Sequence, residues 1–180
     1  MTNDASKVAN DECNGEIGTR ALRNCALLLF VVWIVSSCGY SVRSLLPPHL
    51  KTVAIVTVEN STTQPGLDEE LSIVLPKIFN SDRSLRVTAP EQADLVVSVV
   101  LTSFYRTAAA YDAEQAISAY EISISARVEA LDQVRNEMFF SGTVSSRISY
   151  TPEGTAEENA ISAAIEKLAR EIARQIVTAW

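Results

Sequence analysis

An α+β two-layer sandwich is the fold class this sequence predicts: a mostly antiparallel sheet of about four strands, packed by two helices in the order β-α-β-β-β-α. Three observations carry the prediction. Apolar residues recur at helical spacing in two segments, one early in the domain and one at the end of the chain. Between them lie segments that alternate apolar and polar side chains, the mark of half-buried strands. A β-branched run bounded by a polar turn cluster precedes the first helix.

Lys51 to Val58 (Lys-Thr-Val-Ala-Ile-Val-Thr-Val) is apolar on both faces and reads as a central strand covered on two sides. The cluster Glu59-Asn-Ser-Thr-Thr-Gln-Pro-Gly66 ends it. From Leu67 the period changes: Leu67, Leu71, Val74, Leu75, Ile78 and Phe79 recur every three or four residues. Asp68, Glu69 and Glu70 crowd the first turn, where the helix dipole favours acids. Pro76 inside this pattern is expected to kink or divide the helix, because it has no amide hydrogen to donate.

Ser84 to Thr88 reads as a short edge strand, and Leu95 to Arg106 as a long one. A loop containing Ala108 to Ala110 and Asp112 to Gln115 is expected next. The clearest alternation follows. Tyr120, Ile122, Ile124, Ala126, Val128 and Ala130 point one way, with Glu121, Ser123, Ser125, Arg127 and Glu129 opposite. After a turn near Asp132 to Asn136, Met138, Phe140, Val144, Ile148 and Tyr150 repeat the pattern, with Gly142 a candidate bulge or close approach. Thr155-Ala-Glu-Glu158 has capping-box spacing and opens a helix whose stripe is Ile161, Ile165, Leu168, Ile172 and Ile176.

Ahead of the domain, Arg20 and Arg23 precede an apolar run from Cys25 to Val35. At eleven residues it falls short of the roughly 20 needed to span a bilayer. It has instead the parts of a secretory signal peptide. The run ends in Val35-Ser36-Ser37-Cys38, which resembles the bacterial lipobox, where cleavage occurs just before a diacylglyceryl cysteine. Residues 1–37 are thus expected to be a lipoprotein signal peptide, 38–50 a lipidated linker and 51–180 one periplasmic domain. Gly39 stands where Asp retains lipoproteins in the inner membrane of enterobacteria, which points to the outer membrane. Pro47 and Pro48 favour an extended, poorly packed linker, and His49 beside them, the only histidine, reads as a surface residue.

Cleavage before Cys38 leaves 143 residues, with twelve Lys/Arg against eighteen Asp/Glu, a formal charge of −6. An acidic domain is a poor partner for nucleic acid. Cys13 and Cys25 leave with the leader, so no disulfide remains and packing must stabilise the domain. No nucleophile elbow, zinc cluster, phosphate loop or dinucleotide fingerprint is present. Asp68, Glu69 and Glu70 fan around a helix rather than converge, so neither an enzyme nor a cofactor is expected. The unusual feature is the solvent side of the last two strands: Ser123, Ser125, Ser141, Thr143, Ser145 and Ser149, with Arg127 and Arg147 among them. A turn centred near Gln133–Val134 would set Arg147 opposite Glu121, a cross-strand pair. Alternatively this low face packs against another surface or presents hydroxyls and guanidinium groups to phosphorylated sugars.

Several segments occur together in order: Cys38-Gly-Tyr40, Leu46-Pro47 before Lys51-Thr-Val-Ala-Ile-Val, Glu59-Asn-Ser-Thr-Thr with Pro65-Gly-Leu, Ala93-Asp94-Leu-Val-Val, Tyr120-Glu-Ile-Ser-Ile and the amphipathic end closing on Trp180. This set resembles the lipopolysaccharide-assembly lipoprotein family, the small subunit of the outer-membrane lipopolysaccharide translocon. The resemblance implies a plug inside a large outer-membrane β-barrel partner, binding lipopolysaccharide, assisting barrel assembly and held to the membrane by lipid on Cys38. Family members can carry basic residues in the loop between the middle strands; here Asp112 and Glu114 stand there. Lys51, Arg106 and Arg127 are the candidate lipopolysaccharide contacts. Secretion-pore lipoproteins and cell-wall-synthase activators share some of these features, although the serine-rich face is too polar for hydrocarbon.

Overall fold

The computed structural model describes residues 46–179. Its elements are β1 (Thr52–Asn60), α1 (Leu67–Asp82), β2 (Arg86–Val87), a 3-10 turn (Pro90–Gln92), β3 (Leu95–Tyr111), β4 (Ile117–Asp132), β5 (Glu137–Tyr150) and α2 (Ala156–Thr178). The five strands form one sheet in the order β2-β1-β3-β4-β5. The α+β class stands. The sheet is mixed rather than mostly antiparallel, and has five strands rather than about four: β1 runs parallel to both β2 and β3, while β3, β4 and β5 are antiparallel. Side-chain alternation reports which face a residue occupies and is blind to strand direction. Here α1 supplies the crossover that a parallel return needs.

The core lies between one sheet face and the two helices. Val53, Leu95, Val97, Val99 and Leu101 meet Ile122, Ile124, Ala126, Val128, Ala130 and Val144 beneath α1 and α2. From α1 come Leu67, Leu71, Leu75 and Phe79; from α2 come Ile165, Leu168, Ile172 and Ile176, all buried. Four further α2 positions, Ala160, Ala164, Ala169 and Ala173, are buried with that stripe. Their short side chains let the helix backbone come close to the sheet. The closeness is visible where the Ser146 hydroxyl, itself buried, donates to the Ala164 carbonyl at 2.8 Å.

Several local expectations change. Helix α1 is continuous through Pro76. It begins at Gly66, whose φ of 81° is a conformation that favours glycine, and it has no side-chain cap. The predicted capping box of α2 does not form: Thr155 sits at φ −86° and ψ 18°, outside the extended region an N-cap residue uses. Strand β1 is not covered on both sides, since both helices pack on the same face. A register shift between Ile55 and Thr57 turns Val56 outward, 53% exposed. Ala108 to Ala110, expected in a loop, extend β3. The connection to β4 is a short turn in which Asp112 Oδ1 accepts from the amides of Glu114 (3.0 Å) and Ala116 (2.8 Å). Gly142 is a close approach and not a bulge: a Cβ there would lie 2.9 Å from the Phe140 ring, and the irregularity falls between Ala130 and Leu131.

Candidate functional site

The helices leave the opposite sheet face bare. Across it the register sets Thr57 beside Ser98, Ser98 beside Glu129 and Ser141, Val100 beside Arg127 and Thr143, and Ser103 beside Ser125 and Ser145. Short hydroxyl side chains therefore floor much of this surface. Arg127 and Arg147 rise from it, both exposed and without an ion pair among the described residues. Arg147 lies opposite Ser123, and Glu121 opposite Ser149, so the expected Arg147–Glu121 pair is displaced by two residues. The turn and the register shift between Ala130 and Leu131 each contribute one residue. Asp132 Oδ1 accepts from the amides of Val134 (2.9 Å) and Arg135 (3.0 Å), an Asx-type arrangement that draws the reversal toward β5.

At one end of the sheet, Arg106 stands on the helix side of β3 opposite Ile122. Its Nη1 donates to Glu157 Oε1 (2.7 Å) and Oε2 (2.6 Å), and the guanidinium lies 5.3 Å from the Tyr120 ring centre. Tyr120 in turn stacks on Tyr150, ring centres 5.8 Å apart. Glu157 holds the Arg106 pKa above its ordinary value. Burial pushes the Tyr150 phenol up, and the nearby Glu157 adds to the effect. An anion reaching Arg106 must displace this carboxylate. Glu157 is 51 residues away in sequence, and no local pattern announces it.

The other end carries residues 46–50, expected to belong to a linker. Residues 46–50 are not a poorly packed linker: Leu46, Pro47 and Leu50 are buried. His49 is only 23% exposed by its side chain, and its Nε2 meets Oδ2 of the buried Asp132 at 2.6 Å. Burial opposes ionisation of Asp132, but His49 and the amides of Arg135 and Val134 outweigh it and hold the carboxyl below the ordinary range. Beside them Asp94 Oδ2 accepts from the amides of Lys51 and Thr52, each at 2.9 Å, and from the Thr52 hydroxyl at 2.8 Å. Burial again works against ionisation, and these bonds overcome it. The Lys51 side chain is left exposed at the rim of a cavity of about 550 Å³, shared with Arg83 and Arg86. Cys38 lies outside the described residues.

A family model described as lipopolysaccharide-assembly, LptE, matches residues 50–180. The chain belongs to this family. Membership makes it a non-enzymatic lipopolysaccharide-assembly lipoprotein of α+β fold. Solved structures repeat the fold at low identity. A hypothetical protein, CT253, from Chlamydia trachomatis superimposes with a TM-score of 0.55 at 16% identity, over 72% of this chain and 98% of that one. The PelC dodecamer protein of Paraburkholderia phytofirmans gives 0.50 at 14% identity, over 72% and 90%. Protein XCC0632 of Xanthomonas campestris gives 0.50 at 14%, over 77% and 93%. No curated protein sequence matches the chain. Within the family frame, the Glu59-Asn-Ser-Thr-Thr segment proves to be a structural knot. Asn60 donates to the Gln64 carbonyl at 2.8 Å and accepts from the amide (3.0 Å) and hydroxyl (2.7 Å) of Thr62.

Proposed function

We propose that the chain is the lipid-anchored plug of an outer-membrane lipopolysaccharide translocon. Residues 1–37 are removed, Cys38 is acylated, and the domain works on the periplasmic side or within the lumen of a large β-barrel. It helps that barrel assemble and helps lipopolysaccharide reach the outer leaflet. One observation of the domain supports the plug above others: one sheet face is left uncovered by the helices, and short hydroxyl side chains floor much of it. The lumen of an outer-membrane barrel is polar. A plug therefore needs a surface that approaches closely and exchanges hydrogen bonds, not an apolar patch that would close on itself.

Of the three cations considered for lipopolysaccharide, Lys51 and Arg127 carry no ion pair among the described residues, whereas Arg106 is matched by Glu157. The formal charge of −7 over the whole chain means that attraction to an anionic glycolipid is local. Affinity purification of the full chain from native membranes tests the reading. A very large β-barrel recovered in equal amount is the expected companion. A penicillin-binding protein, or rings of this chain alone, would overturn the plug. Cys38→Ala is expected to lose palmitate labelling and membrane fractionation while the domain still folds; retained label would refute acylation at this residue.

A further inference from the structure

The sheet has two edges, and they are finished differently. At β5, Lys167 Nζ on α2 donates to the Arg147 carbonyl at 2.9 Å, so a helix side chain takes up a main-chain acceptor of the edge strand. Charged side chains of this kind guard an exposed strand against pairing. At the other edge β2 pairs with only Thr52 and Val53 of β1, and its lane ends where the Thr88 amide donates to the Val53 carbonyl at 3.0 Å. From Ala54 to Asn60, β1 has β3 on one side and, among the described residues, no strand on the other. No side chain among them bonds to the backbone of residues 54–59. The lane beside β1 borders a cavity of about 260 Å³ roofed by α1. Ile55, Val58 and Pro76 give it an apolar side, and Asp68 and Glu69 an acidic one. Neither acid makes an ion pair among the described residues. Val56, at the register shift, is 53% exposed and places no charge in the path of an incoming strand.

We infer that this lane takes an extended segment of a partner protein with lysine or arginine at every second position. Laid beside β1, the segment continues the sheet past the end of β2 through main-chain hydrogen bonds. Side chains of a strand alternate between its faces, so those on the helix side all turn toward the cavity. There a long basic side chain rests its methylenes on Ile55, Val58 and Pro76 and brings its charge to Asp68 or Glu69. An acidic segment meets like charge at the same place. The site uses the edge of the sheet and not its hydroxyl-rich face, and it needs neither the barrel nor the acyl chain proposed above.

The probe is a fluorescein-labelled peptide, Thr-Lys-Thr-Lys-Thr-Lys-Thr, added to the full chain in neutral detergent. Anisotropy reads its affinity, and hydrogen–deuterium exchange reads where it sits. Exchange should slow within residues 54–60 and stay unchanged in β5. The same peptide with Glu for Lys should bind at least about tenfold more weakly, as should the lysine peptide to Asp68→Lys/Glu69→Lys, and salt should narrow both differences. Glu114→Lys/Glu158→Lys, at exposed positions elsewhere, makes the same charge change and should leave binding intact. Main-chain pairing is tested by N-methylation, on the three lysine amides in one peptide and on the three threonine amides that follow them in another. Amides of alternate residues point to opposite edges of a strand, so one methylated peptide should lose binding and the other keep it. No binding of the lysine peptide, equal binding of the glutamate peptide, slowed exchange in β5 instead of β1, or loss in both or neither methylated peptide would overturn the inference. Circular dichroism reports whether the charge-reversed variant folds, and Asp68→Asn/Glu69→Gln reads the weakening should it not. A barrel recovered from native membranes while these peptides fail would leave the plug reading standing, and the reverse result would leave this one.

Discussion

His49 bonds to a carboxylate 83 residues away, and the consequence is testable in the stability of the domain. Asp132 is 2% exposed and is held ionised by His49 and by the turn amides of Val134 and Arg135. Removing the imidazole leaves a buried charge short of one partner. His49→Ala should therefore cost about 1–3 kcal/mol at neutral pH, measured by urea unfolding. The sign of the pH dependence follows from the lowered pKa. A carboxyl whose folded value lies below its ordinary 3.8 contributes stability that is present above that value and lost as pH falls through the lowered one. The variant should begin acid unfolding at a higher pH than the wild type; superimposable acid profiles would show that His49 does not hold Asp132. Glu171 on α2 follows the same sign, held at about 2 by hydrogen bonds from Arg174 and Gln175 against the opposing effect of burial. Its contribution to stability is present above about 4.5 and fades as pH falls toward 2. Neither His49–Asp132 nor Arg106–Glu157 could be read from the chain. Pairs 83 and 51 residues apart leave no periodic trace, and a lone histidine beside two prolines carries no sign of its partner.

Elements were legible where one face is apolar and the other polar. The alternation from Tyr120 to Ala130 gave the buried side of β4 correctly, and the helical spacing from Leu67 to Phe79 gave that of α1. What was hidden has physical reasons. Pro76 promised a break, but tertiary packing of Leu71, Leu75 and Phe79 holds the turns on either side of it in one helix. The isoleucine stripe of α2 was plain, while the alanines beside it looked neutral until the sheet was found against them. That alanine face makes its own prediction. Ala169 is fully buried, and Ala169→Leu adds volume where the core has no room. The variant should lose about 1–3 kcal/mol and show a lower thermal midpoint. Ala163→Leu, on the intermediate-burial side of the same helix, should lose less. Equal losses would mean that the alanine row is not the close contact described.

At the scale of the whole molecule, the fold concentrates its apolar contacts between one sheet face and two helices and leaves two regions outside them. The open face is one such region and the outer β3–β4 hairpin is the other. Beyond Phe104 the side chains of β3 are exposed through Tyr111, and β4 begins exposed at Ile117. Tyr105 and Tyr111 are each 64% exposed and Ile117 is 37% exposed, so large side chains are carried outward on strands paired only to each other and to β5 near Tyr150. The paired strands keep this arm extended without contributing much to the core. Replacing residues 109–119 by an Asn-Gly turn leaves Ala108 paired with Tyr120, keeps Arg106, Tyr120 and Glu157 in place and removes only the outer arm. Stability should change by no more than about 1 kcal/mol, because few buried apolar groups leave with it. On the proposed plug function, recovery of a barrel companion from native membranes should fall sharply, since an arm and a bare face entering one lumen would share its wall. Full recovery with the shortened hairpin would confine the interface to the hydroxyl-rich face, where Ser125→Trp would then be the substitution that breaks it.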